Sequence, residues 1–134
     1  MTMAGLNPIA VETELIALTR GLAPTDKTSL IMDLGANSTD IAIARNSMLV
    51  FSRSIPIAGE AFTRSVSQGL GLSAPQAEEY KKTYGLVTTQ LEGKVKAALD
   101  PVLRLVVDEV KKAINFYKKN GFEEYELILE KEIV

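Results

Sequence analysis

Ser29–Asp40 reads SLIMDLGANSTD: an apolar run ending in an aspartate, a turn containing a glycine, and a hydroxyl pair leading into a second apolar run. Leu30, Ile31 and Met32 have the make-up of a buried strand, and Asp33 places a carboxylate at its C-terminal end. Gly35 permits φ > 0 or a close backbone approach, while Ser38 and Thr39 add hydroxyls to the backbone donors of the bend. A tight turn with free N–H groups can cradle a phosphate, and a carboxylate beside it can hold a hydrated Mg²⁺. The same residue types also make ordinary hairpins, because Gly, Asn, Ser and Asp dominate such turns for conformational reasons alone.

Working outward, the spacing predicts an antiparallel meander of three strands over residues 29–34, 39–45 and 48–55. The second strand alternates, with Ile41 and Ile43 on one face and Ala42 and Ala44 on the other, so a helix is expected close against the small face. Asn46 and Ser47 suit a two-residue hairpin turn. Upstream, Val11, Leu15, Leu18 and Leu22 fall at helical spacing and predict a helix over 11–21, ended by the turn around Pro24. Met1–Pro8 carries no periodic pattern.

Downstream, Pro56–Gly59 forms a corner, and Phe62, Val66 and Leu70 make the stripe of a helix over 60–70. Ser73, Pro75 and Gln76 carry the signature of a capping box and predict a second helix to Tyr84, closed by Gly85. After a polar connector, Val95, Leu99, Val102, Leu103, Val106, Val110, Ile114 and Tyr117 predict one helix over 93–120. Pro101 should kink it or mark the true start of its body. Residues 125–129 read as a last strand.

At 134 residues and 46% hydrophobic, the chain has the size of one compact domain. A net charge of −2 gives no basic field for nucleic acid, so none is expected as a partner. With no cysteine and no histidine, thiolate metal sites, disulfides and most hydrolytic constellations are excluded. No window supplies the apolar run of about 20 residues that spans a bilayer, and the N-terminus lacks a signal-peptide pattern. A cytoplasmic location is expected. Arg53 and Arg64 read as surface arginines, and Tyr80, Tyr84 and Phe116 as packing residues.

The ordered set DLGANSTDIAIARNSMLVFSRSIPIAGEAFT followed by GLSAPQAEEYKKTYG resembles the second phosphate-binding half of the actin-like ATPase superfamily, most closely its PilM family, relatives of FtsA. The resemblance covers roughly Val11 to Leu129. It implies half of an actin-like, ribonuclease-H-like ATPase fold: an α/β domain with a mixed sheet, an antiparallel meander, one returning strand parallel to the first, and flanking helices. The chain divides as a meander with the phosphate turn (28–57), a helical insertion (59–85), and a long helix with the last strand (93–129).

For the site, the resemblance implies ATP and Mg²⁺ as ligands of the parent protein. Asp33 would hold Mg²⁺ through water; Gly35, Ser38, Thr39 and Gly59 would line the phosphates; and Glu78 and Lys81 of the Ala-Glu-x-x-Lys helix would approach the ribose. Ala58 stands where PilM proteins commonly have the first of two glycines. The family's first phosphate turn and its adenine-binding Gly pair find no counterpart here, since the chain runs LEKEIV after the last strand. No ATPase activity and no catalytic residue are therefore expected of this chain alone. The implied function is that of a cytoplasmic scaffold in type IV pilus assembly, peripheral at the inner membrane through partner proteins and prone to self-association. The alternative is a small protein-interaction module without nucleotide chemistry.

Overall fold

The computed structural model describes residues 4, 5, 7 and 9–121, together with the backbone of a strand at Glu126–Glu130. Its elements in chain order are α1 (Glu14–Leu22), β1 (Thr28–Leu34), β2 (Thr39–Arg45), β3 (Met48–Ile55), α2 (Gly59–Leu70), α3 (Ala74–Tyr84), a single 3₁₀ turn at Leu91–Gly93, α4 (Lys94–Lys119) and β4 (Glu126–Glu130). Residues 1–8, read above as irregular, and 131–134 lie largely or wholly outside the described part.

Among the described residues the strands form one mixed sheet in the order β3-β2-β1-β4. β1 and β2 pair antiparallel from Thr28 opposite Arg45 to Leu34 opposite Thr39. Asn46 and Ser47 both adopt positive φ, 52° and 58°, the mirror-image turn whose twist matches that of the strands it joins. β3 pairs antiparallel with β2, with a bulge between Ile43 and Ala44. β4 returns parallel to β1, Ser29 opposite Glu126 through Asp33 opposite Glu130, as the superfamily resemblance implied.

Alternation along β2 divides the core between the two faces of the sheet. Ala42 and Ala44 pack with Ala23 and Ile31 beneath Leu15 and Leu22 of α1, so the small face does receive a helix. Leu30, Ile41 and Ile43 on the other face pack against Ala113 and Tyr117 of α4. The N-terminal half of α4, through Val95, Leu99 and Val106, joins Phe62 and Val66 of α2 and Ala77 of α3 in a second cluster on that side. The long helix thus ties the sheet to the helix pair.

One expectation is corrected and one narrowed. α1 begins at Glu14, and Val11 is 97% exposed outside it, because the apolar spacing continues beyond the residues that touch the sheet. Of the two alternatives for Pro101, the structure excludes the true start of the helical body, since α4 already contains the turn before it. Val95 and Leu99, buried at 1% and 4%, anchor that turn against α2, and tertiary burial outweighs the missing Pro101 N–H. Arg53 is a surface arginine, as expected: its side chain is 44% exposed and pairs with Glu109 of α4 at 2.7 Å. Phe116, 53% exposed, lies tilted against Phe51 with ring centroids 5.1 Å apart, and Tyr80 meets Tyr84 edge-on at 5.2 Å, so these rings are packing residues.

Candidate functional site

The turn between β1 and β2 is closed by Gly35 N–H donating to the Ser38 carbonyl at 3.0 Å. Gly35 is not at positive φ; its role is closeness, since a Cβ there would meet Ser38 O at 3.2 Å. The turn leans on the first residues of α2. Gly59 N–H donates to Gly35 O at 3.0 Å and Glu60 N–H to Ala36 O at 2.8 Å. Gly59 lets α2 approach the turn closely, because a Cβ there would stand 3.3 Å from Gly35 O. With its amide nitrogen turned toward Glu60, Asn37 donates to both carboxylate oxygens at 3.0 and 3.2 Å.

Thr39 is fully buried, and its hydroxyl donates to the Ile57 carbonyl at 2.6 Å, fixing the start of β2 to the corner before α2. That proton serves the protein, as does Gly35 N–H, which leaves the backbone N–H groups of residues 36–38 as the turn's donor set. Thr39→Val is expected to cost about 1 kcal/mol of stability, read from the midpoint of urea unfolding. Ser38 Oγ donates to Asp40 Oδ2 at 3.1 Å.

Asp33 and Asp40 are direct partners across the β1–β2 ladder and therefore share a face of the sheet. Together with Ser52 and Thr13, Glu14 and Leu15 at the start of α1 they line a cleft of about 280 Å³. Among the described residues no three metal-binding side chains converge on one point. The pair fits Mg²⁺ held through water, an ion that keeps several waters and takes only one or two carboxylates. Asp40 and Glu14 escaped the sequence reading. The signal for Asp40 was present, because a tight turn centred on residues 36 and 37 sets residue 40 opposite residue 33.

A second cluster lies where α3 meets α2. Lys81 Nζ donates to Gly59 O at 3.1 Å and to Thr63 Oγ1 at 2.9 Å, and pairs with Glu78 Oε2 at 2.6 Å. Thr63 also contacts Glu78 and lies 3.0 Å from Gly59 O. Lys82 approaches the other oxygen of Glu78 at 3.4 Å. Partial burial raises the Glu78 pKa, but hydrogen bonds from Lys81 and Thr63, the Lys81 charge and Lys82 together outweigh it and hold the carboxyl below its ordinary value. A depressed carboxylate contributes stability that is present above its unfolded pKa and lost as pH falls through the folded one. Carbon-detected titration of the Glu78 carboxyl is accordingly expected to give a midpoint below 4.5, and Lys81→Met is expected to move it upward.

The structure therefore brings Asp33, Gly35, Ser38 and Gly59 around one turn. Thr39 is buried behind it, and Glu78 and Lys81 stand one helix away, tied to Gly59. A mixed sheet with this meander, a carboxylate-flanked turn after its first strand and a returning parallel strand is the arrangement of part of the actin-like ATPase fold. The family model for the cell division protein FtsA matches residues 30–115, and the chain belongs to that family.

Among curated relatives, the cell division protein FtsA of Bacillus subtilis (strain 168) is 42% identical over 55 residues, 41% of this chain and 12% of that protein. Among solved structures, the PilM-PilN type IV pilus biogenesis complex aligns over 94% of this chain and 37% of its counterpart, at 26% identity and a TM-score of 0.72. The ethanolamine utilization protein EutJ from Carboxydothermus hydrogenoformans shares the fold at a TM-score of 0.72, with 20% identity over 96% of this chain and 44% of that one. MreB 5 of Spiroplasma citri bound to AMPPNP shares it at 0.64, with 21% identity over 86% of this chain and 45% of that one. The chain thus spans less than half the length of each of these relatives. Among the described residues no helix is long and apolar enough to cross a membrane.

Proposed function

We propose that this chain is the second phosphate-binding lobe of a nucleotide-binding protein of the FtsA and PilM kind, which takes Mg-ATP in the parent protein. Its three segments, 28–57, 59–85 and 93–129, act as one domain. The observation that carries the reading is the Asp33–Asp40 pair, opposed across the ladder beside the Gly35–Ser38 turn. In this reading Asp33 holds the metal through water, with Asp40 beside it. The backbone N–H groups of residues 36–38 meet the phosphates, Gly59 at the start of α2 holds the turn in place beside them, and Glu78 faces the ribose. Bound Mg²⁺ would supply neutralisation of phosphate charge; the protein supplies orientation and donors.

The finer biological role we propose is a scaffold in type IV pilus assembly, cytoplasmic and peripheral at the inner membrane through other pilus assembly proteins. Likeness to the PilM chain over 94% of this chain supports it. The test is a titration of the ¹⁵N-labelled chain with Mg-ATP. Shifts confined to Gly35, Ala36, Asn37 and the start of α2, and abolished by Asp33→Ala, are expected. Shifts absent from the turn, or unchanged by Asp33→Ala, would overturn the nucleotide reading and favour an interaction module. Affinity weaker than about 1 mM, near −4 kcal/mol, is expected for this lobe by itself, with no phosphate release above background.

A further inference from the structure

We propose that Lys81 is a positioning residue, which couples the ribose-facing side of α3 to the phosphate turn through the Gly59–Glu60 peptide. The inference rests on the reading of residues 35–38 as a phosphate turn. A single peptide unit lies between the two sites: its carbonyl, Gly59 O, accepts from Lys81 Nζ at 3.1 Å, and its N–H, on Glu60, donates to Ala36 O at 2.8 Å. A charged donor on the carbonyl polarises the peptide and strengthens the bond made by its N–H. The neighbouring Gly59 N–H adds the bond to Gly35 O at 3.0 Å.

Lys81 is fully committed to this task. An ammonium has three donors, and Gly59 O, Thr63 Oγ1 and Glu78 Oε2 take them at 3.1, 2.9 and 2.6 Å. A ribose hydroxyl could gain a bond from Lys81 only by displacing one of these. Glu78 differs, because its Oε1 meets only the distant Lys82 at 3.4 Å and has room to accept from a hydroxyl. The two residues of the Ala-Glu-x-x-Lys motif therefore divide the work: Glu78 faces the ligand, and Lys81 holds the turn. Thr63 fixes the ammonium, contacting both Lys81 and Glu78. A ligand that draws on Glu78 perturbs the Lys81 contacts and, through them, the donors of the phosphate turn.

The test is amide hydrogen exchange on the full chain, read at Gly59 and Glu60 and referenced to Ile31 and Ala42 in the sheet. Lys81→Met is expected to accelerate exchange at both sites by about tenfold, the size of one charge-assisted hydrogen bond. Lys82→Met, which reaches Glu78 but not Gly59, is expected to leave them unchanged. Thr63→Val should accelerate both and Thr63→Ser restore them, which keeps the test decisive should Lys81→Met fail to fold. Unchanged exchange at Gly59 and Glu60 in Lys81→Met or in Thr63→Val would overturn the proposal. Titration with Mg-pyrophosphate, which has no ribose, adds a ligand readout: Lys81→Met should weaken its effect on Gly35 and Asn37 several-fold, and equal binding by both proteins would also overturn the coupling. If the unsubstituted chain shows no pyrophosphate response, the phosphate reading fails, while the exchange comparison still decides whether Lys81 sets the turn.

Discussion

Gly59→Val is expected to destabilise the chain by about 3 kcal/mol, the upper end of the cost of overpacking, and to detach the phosphate turn from α2. The Cβ alone would stand 3.3 Å from Gly35 O, a tight approach, with Ala36 Cα in ordinary contact at 3.5 Å. The tight contact is to backbone, so no rotamer change relieves it, and the γ-carbons of valine add volume on the same side. The turn must move away, taking with it the bonds from Gly59 N–H and Glu60 N–H, 3.0 and 2.8 Å long. Gly59 does not adopt positive φ, so the cost is one of contact and not of backbone conformation. Gly59→Ala, whose single methyl asks for a shift of a few tenths of an ångström, should lie between. Urea unfolding and the amide shifts of Gly35 to Asn37 give the two measurements. An unchanged midpoint with unmoved shifts would show that the turn and α2 do not need each other.

That contact marks the boundary of what the sequence made legible. The meander was readable because the first strand is a short apolar run and the second alternates, and Asn46-Ser47 and Ser73-Gln76 carry local chemistry that fixes a turn and a helix start: Gln76 accepts from the Ser73 backbone N–H at 3.1 Å and from its hydroxyl at 2.7 Å. The parallel return of β4 was not in any periodicity. It came from the superfamily resemblance, and the ladder of Leu30 with Leu127 and Ile31 with Ile128 bears it out. What single-sequence spacing cannot give is which elements meet. Glu14 lies nineteen positions before Asp33 on another element, and only the packing of α1 on the Ala42 face brings both to one cleft. Lys81 reads equally well as a solvated lysine or a ribose contact until α2 and α3 are docked, whereupon its side chain is only 20% exposed and directed at Gly59 O. Val11 shows the converse failure, a residue on the helical stripe with nothing to cover it.

Phosphate binding at this turn is expected to depend wholly on a divalent cation. Two carboxylates, Asp33 and Asp40, oppose each other beside the turn, Glu14 enters the same cleft, and Asn37 holds the Glu60 carboxylate near the tip. The nearby ammonium, Lys81, has all three donors engaged on protein acceptors. Each such carboxylate about 5 Å from a bare triphosphate would repel it by on the order of 3 kcal/mol per unit charge at an effective dielectric constant near 20. Mg²⁺ between the carboxylates and the phosphates reverses that sign. Asp40→Asn is expected to act on the metal-bound state alone. The metal-free midpoint should stay in place, because Asn Oδ1 can still accept from Ser38 Oγ. Loss of one of the paired charges should weaken Mg-supported nucleotide binding by at least about tenfold, the equivalent of 1.4 kcal/mol. Thermal unfolding in EDTA and in Mg²⁺, together with amide titrations using ATP under both conditions, separates the two states. ATP shifting the turn equally well in EDTA, or Asp40→Asn leaving the Mg-ATP response unchanged, would show that the carboxylate pair is part of the sheet and not of a metal site.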